Sequence, residues 1–313
     1  MENGYMKMLA KIASYNTIIL HRHVRPDLDA IGSQFGLKHI LMDNYQGKDI
    51  YAVGDTSKQM YLATLDTITD DKYQNALVIV LDCANEHMIS DDRYKLATEV
   101  IIIDHHENEP NINHSLFIEN KEYISTTEII IDFIRYAKYK VSALAATYLY
   151  GGLVTDSGRF LHVKKENASR VFLNASYICQ FQPNIQDLYN YLYTETLEER
   201  QNKQLFASFN VTPKNVAYRF NTKEIVEESG LDFFTINRGM VNLMGGIKEV
   251  PIWVSFTYEN NSQKVFVEIR SRGIRIVDVA KKYGGGGHEF ACGCSIDSFL
   301  VAKDVLEDLD RLV

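Results

Sequence analysis

Eight side chains in the first half of the chain have the types and spacing to do chemistry: His23, Asp27 and Asp29 in HVRPDLD, Asp82 after ALVIVL, Asp104, His105 and His106 after EVIII, and Asp156 after GGLVT. Each group directly follows a short apolar run. In open α/β sheets the loops beyond the carboxyl ends of the strands converge on one crevice, and ligands bind there. Carboxylates brought that close repel one another unless cations neutralise them. A metal centre is the expectation. Oxygen-rich sites with imidazole and no thiolate suit Mn²⁺ or Mg²⁺ better than structural zinc. The donors outnumber one coordination sphere, which favours two ions sharing a carboxylate. Such a pair generates hydroxide near neutral pH and clamps the oxygens of an in-line displacement at phosphorus.

Taken singly, these residues have plainer uses. Asp29 could cap the helix that follows it, and an Asp after a strand often makes a turn. Four groups in order, each at a strand end, are harder to explain that way. His21 alternates with His23 and is expected on the sheet's other face. His39, His87 and His114 lack obvious partners, and His162 is left unassigned.

The elements that must position these groups are legible as patterns. Residues 17–21, 49–53, 76–81 and 99–103 are uninterrupted apolar runs, which suits strands covered on both faces. A helix is expected from 29 to 43, and helical patterns dominate 125–180. Strands alternating with helices argue for an α/β domain with a mostly parallel sheet. A charged helical stretch follows at 195–209. Beyond it, 251–259 and 264–271 alternate polar and apolar residues around a turn-rich join and read as a hairpin. Helices are expected at 276–283 and 299–312. The expected organisation is a metal-binding domain at 1–190, a helical linker at 191–212 and a smaller α+β domain at 213–313.

The chain has 313 residues, 46% of them hydrophobic and 24% charged, with a formal net charge of −8. Ordinary composition excludes disordered and collagen-like classes. So acidic a chain is not expected to hold long or duplex nucleic acid on a broad face, though phosphates gripped in a local pocket remain open. The four cysteines form no CxxC pair, and no run is long and apolar enough to span a bilayer. These features are read as a soluble cytoplasmic protein without membrane partners.

In the second domain, YGGGGHEFACG (283–293) combines four glycines with His288. Glycine lets backbone amides approach an anion closely. Between Lys264 and Lys282, basic residues exceed acidic ones by four. With Arg270 at a strand end, this segment reads as a phosphate grip.

The motifs HVRPDLD, LDCAN, DHH, GLVTDSGRF and GGGGHEFACG, in order over essentially the whole chain, resemble the DHH phosphoesterase superfamily with a DHHA1 C-terminal domain, in particular its bacterial oligoribonuclease and pAp phosphatase (nanoRNase) branch. The resemblance implies that His23 and Asp27 bind one metal, that Asp29, His105 and Asp156 bind a second, and that Asp82 bridges both. It implies that His106 contacts the scissile phosphate and that Asp104 orients a neighbouring histidine. Arg159, Arg270, Ser271, Gly284, Gly285, Gly286, Gly287 and His288 would hold substrate phosphate and sugar. The implied activity is Mn²⁺-dependent cleavage of short RNA oligonucleotides to mononucleotides and dephosphorylation of 3′-phosphoadenosine 5′-phosphate (pAp). The competing readings are an inorganic pyrophosphatase or exopolyphosphatase, a RecJ-like single-strand exonuclease, a phosphodiesterase acting on pApA, and a regulatory nucleotide-binding protein without turnover.

Overall fold

The computed structural model describes residues 2–56, 60–107 and 109–313. The chain forms two compact units, residues 1–194 and 195–313. The first contains α1 (Glu2–Ser14), β1 (Thr17–Arg22), α2 (Leu28–Asn44), β2 (Asp49–Ala52), β3 (Ala76–Leu81), β4 (Glu99–Asp104) and β5 (Leu116–Glu119). Helices α3 (Thr126–Ala137), α4 (Ala143–Asp156), α5 (Ala168–Cys179) and α6 (Ile185–Tyr193) complete it.

Its five strands pair in parallel throughout, in the order β2-β1-β3-β4-β5. The apolar runs are uninterrupted because both faces are covered. Ile18, Leu20, Leu77, Ile79, Ile101 and Ile103 join α1 to α5 in one core. Ile19, Val78, Val80 and Ile102 join Tyr73 and Tyr94 in another. His21 lies on this second face because Ile19, two residues before it, does. His23 lies beyond the end of β1, so the turn and not strand alternation sets its direction. It is buried, its Nε2 is 3.1 Å from the Tyr73 hydroxyl, and burial pushes its pKa down to about 4.

The strand order changes direction between β1 and β3. At such a switch point the loops leave to opposite sides and open a crevice. His23 follows β1 and Asp82 follows β3, so the two flank that crevice.

The second unit contains α7 (Leu197–Gln204), β6 (Asn210–Val211), β7 (Val216–Asn221), α8 (Lys223–Ser229), β8 (Ile252–Glu259), β9 (Lys264–Ser271), α9 (Val277–Lys282), β10 (Gly286–His288), β11 (Ala291–Ile296) and α10 (Ala302–Asp310). Its six-stranded mixed sheet runs β10-β11-β9-β8-β7-β6, with β7 parallel to β8 and the other pairs antiparallel. The expected hairpin is β8–β9. The glycine segment is not wholly a loop, because Gly286–His288 pairs with β11 as an edge strand. Among the described residues no helix is long and apolar enough to cross a membrane.

Candidate metal centre and second-unit cavity

The loop after β1 ends at Asp27, whose extended backbone and carboxylate make it the N-cap of α2. Its Oδ1 accepts from the amides of Asp29 and Ala30, both at 3.0 Å. The cap is therefore Asp27 and not Asp29. Asp29, the second residue of α2, is fully buried and points toward the start of α3.

There it meets donors that a helix start leaves without intrahelical partners. The amides of Thr126 and Thr127 donate to Asp29 at 2.7 and 2.9 Å, and the Thr127 hydroxyl donates at 2.6 Å. A carboxylate at a helix N-terminus also gains from the positive end of its dipole. The Thr126 hydroxyl donates to Asp82 Oδ1 at 3.0 Å. The start of α3 thus orients two carboxylates, a role the sequence reading missed. These threonines follow no strand and are more than 40 residues from either partner.

Asp82 adopts φ +60°, the left-handed region that non-glycine residues avoid. The turn aims its two oxygens in different directions. Oδ2 lies 3.4 Å from His23 Nε2, and Oδ1 lies 3.6 Å from His105 Nε2. His23 Nε2 is also 3.9 Å from Asp27, and His105 Nε2 is 3.5 Å from Asp156 Oδ2. Two groups of three ligand types result, His23–Asp27–Asp82 and Asp29–His105–Asp156, each with ligand atoms within 4.8 Å of one another. A third group, Asp82–His105–His106, overlaps them.

Burial, reinforced by the charges of Asp29 and Asp27, holds the carboxyls of Asp82 and Asp156 well above the usual carboxylate range. Burial also raises Asp29, against the pull of His105 and the Thr127 donors. It lowers His105. His106 behaves differently. Burial works against its charge, but the hydrogen bond from Nδ1 to Asp104 Oδ1 (2.8 Å) and the charges of Asp82, Asp104 and Asp29 raise its pKa to about 9. Asp104 also accepts from the His106 amide, so His106 is the histidine it orients.

The residues fit divalent ions on an observation independent of charge. His105 Nε2 and Asp104 Oδ2 are buried without a hydrogen-bond partner. Ligands about 2.1 Å from one ion, at octahedral or tetrahedral angles, stand about 3.0–3.5 Å apart. The 3.4–3.6 Å separations of His23 and His105 from Asp82 and Asp156 are close to that spacing, and are too long for the hydrogen bonds these buried atoms would otherwise need.

In the second unit, Gly284 to Gly287, His288 and Arg270 line a cavity of about 590 Å³. Arg238 and Glu268, which the sequence reading did not single out as site residues, line it as well. Ser271 is not among its lining residues; its hydroxyl donates to the carbonyl of Ile274. The expected basic surplus is largely paired. Arg270 meets Glu268, Arg275 meets Asp278, Lys282 meets Asp308, and Arg272 donates to the carbonyls of Ile247 and Lys248. Arg159 belongs to the first unit, with a left-handed backbone (φ +60°) and its guanidinium 4.9 Å from the centre of the Tyr193 ring.

A strand-order switch point lined with carboxylates and imidazoles is a site positioned to hold divalent metal. Residues 17–153 match the DHH family N-terminal domain and residues 235–313 match the DHHA1 domain. The chain is 35% identical to the bifunctional oligoribonuclease and PAP phosphatase NrnA of Bacillus subtilis, over 98% of this chain and 97% of that protein. It is 32% identical to the probable bifunctional oligoribonuclease and PAP phosphatase NrnA of Streptococcus mutans, over 99% of each chain. The crystal structure of an exopolyphosphatase-related protein from Bacteroides fragilis shares the fold, with a TM-score of 0.85 at 23% identity over 100% of this chain and 98% of that one. The chain belongs to the DHH family of phosphoesterases that carry a DHHA1 domain.

Proposed function

We propose that this chain uses two divalent metal ions, Mn²⁺ in preference to Mg²⁺, to hydrolyse short RNA oligonucleotides to mononucleotides and to remove the 3′-phosphate of pAp. The observation that carries the two-metal reading is Asp82, whose separate oxygens face two histidines from two different ligand groups. His23 and Asp27 would hold one ion, Asp29, His105 and Asp156 the other, and Asp82 both. Bound there, the ions would supply hydroxide at neutral pH and neutralise charge on the phosphoryl oxygens.

The remaining work falls to the protein's own groups. His106 keeps its Nδ1 on Asp104, which leaves Nε2 as the atom to meet a phosphate oxygen. As an imidazolium it donates a charge-assisted hydrogen bond and stabilises charge that grows as phosphorus is attacked. Asp104 fixes the ring. The Nδ1 of His23 faces the carbonyl of Val24 at 2.8 Å, which reserves its Nε2 for an ion. The names of the relatives support the substrate assignment, and the second-unit cavity would take a nucleotide.

The test is to incubate the protein with Mn²⁺ and, separately, a labelled RNA trimer, pAp and pyrophosphate. Cleavage of the first two with pyrophosphate untouched is the expected outcome. Rapid pyrophosphate hydrolysis with inert nucleotides would overturn the assignment.

A further inference from the structure

Three of the four glycines at 284–287 are required by the backbone. Gly284 (φ +75°) and Gly287 (φ +129°) occupy the region that favours glycine. A Cβ on Gly285 would lie 2.1 Å from the carbonyl oxygen of Gly293. Gly286 is different. Its φ lies outside that region, and a Cβ there would meet nothing within 4 Å. The fold tolerates a side chain at 286, and that side chain would enter the cavity that Gly286 lines.

The strand register extends this opening into a floor. Gly286 pairs with Gly293 of β11, and Gly293 pairs with Glu268 of β9. Two residues without side chains therefore lie beside one acid, in a row across three strands. The Glu268 side chain is only 12% exposed, and its carboxylate is paired with Arg270, which lines the same cavity. Oε1 accepts from Asn237 at 3.2 Å and lies 3.7 Å from Arg238, while Oε2 accepts from Arg270 at 2.9 Å.

Asn237 and Arg270 donate to Glu268 once on each oxygen, which leaves acceptor capacity on a carboxylate that lines the cavity, where an acid disfavours phosphate. A carboxylate has about four lone-pair sites and only accepts hydrogen bonds, so what it recognises must donate. The parts of RNA common to every nucleotide are phosphates, which accept, and the ribose with its 2′-hydroxyl, which donates. Base amines also donate, but they differ from base to base and cannot serve mixed-sequence oligomers. pAp keeps the same 2′-hydroxyl.

We infer that Glu268 accepts a hydrogen bond from the 2′-hydroxyl of a nucleotide seated on the Gly286–Gly293 floor, and so selects ribonucleotides over deoxyribonucleotides. Arg270 and Asn237 position its carboxylate, and His288, which lines the same cavity, is placed to meet phosphate. The inference rests on the RNA and pAp reading above, which supplies the class of ligand.

The test compares wild type, Glu268→Ala and Gly286→Ala on pApA and its 2′-deoxy counterpart with Mn²⁺. It also measures calorimetric binding of pAp and 2′-deoxy pAp to the metal-free protein. Wild type is expected to favour the ribose form by about ten- to hundredfold in kcat/KM, the range of a hydrogen bond to a charged group. E268A is expected to bring that ratio close to one, mainly through a raised KM for the ribose substrate. G286A should lower affinity for both sugars while leaving Tm unchanged. Equal losses on both sugars in E268A would mark Glu268 as merely structural and overturn the inference, as would a wild type indifferent to the 2′-hydroxyl. If wild type binds the ribose form selectively without cleaving either, the inference stands and the proposed activity falls.

Discussion

Asp82 joins function and backbone cost in one residue. A left-handed φ on a residue with a Cβ costs about 1–2 kcal/mol, and surrounding contacts must hold it in place. Here the Asp82 amide donates to the Ile103 carbonyl at 2.9 Å and the Thr126 hydroxyl holds Oδ1. The strained turn lets one carboxylate face both histidines. Thr126→Val keeps the shape of the side chain and the backbone donor to Asp29, and removes only the hydroxyl. Loss of such a supporting hydrogen bond weakens metal binding by about 10–100-fold. Calorimetric Mn²⁺ titration of T126V should show a loss of that size, with an unchanged Tm in chelator. Wild-type affinity in T126V would mean that the turn alone positions Asp82.

At the scale of elements, the centre depends on how closely three helices approach. Gly32 and Gly36 of α2 and Gly152 of α4 line this contact. A Cβ on Gly152 would lie 2.5 Å from Thr127 Cγ2 and 2.7 Å from Asp29 Oδ1, whereas the nearest atoms to one on Gly36 would be those of Leu149, its side chain at 2.7 Å. Overpacking costs about 1–3 kcal/mol in either place. Only Gly152→Ala should also push Asp29 off the α3 N-terminus. Both variants are expected to lower Tm, but G152A alone should lose Mn²⁺ affinity, by about tenfold or more for a displaced ligand. Equal metal affinity in the two variants would refute the positioning role of the α4 contact.

The same elements separate what sequence makes legible from what it hides. Strands β1, β3 and β4 stand out because burial on both faces demands unbroken apolar runs, and the ligand types follow them directly. Helix α1 carries Gly4, Lys7 and Lys11 among its apolar positions, and only Tyr5, Met8 and Ile12 are buried, so its pattern is faint. Strand β5 is a four-residue edge, too short for periodicity to speak. The hold of Thr126 and Thr127 on Asp29 spans 97 and 98 residues, and no local spacing encodes it. Glu268 shows in sequence only as a charge to be subtracted; its place beside two glycines appears once the strand register is known.

Across the whole molecule, the crowded acids should tie stability to both metal and pH. Asp82 and Asp156 have folded pKa values well above those of an unfolded chain. From about pH 4 upward, these two carboxyls therefore hold more protons in the metal-free folded state than in the unfolded chain, and their contribution to stability falls as pH rises. Ions that ligate these carboxylates displace the protons and remove the repulsion. The stabilisation that Mn²⁺ gives should accordingly grow with pH toward neutrality. At 100 to 1,000 times Kd, one site contributes about 2.7–4.1 kcal/mol. All the ligand types lie in residues 1–194. Hydrogen exchange with and without Mn²⁺ should therefore show protection gained chiefly in that unit, larger at pH 7 than at pH 5. Equal gains in residues 195–313, or a metal effect that shrinks as pH rises, would refute the assignment of Asp82 and Asp156 as carboxylates relieved by metal.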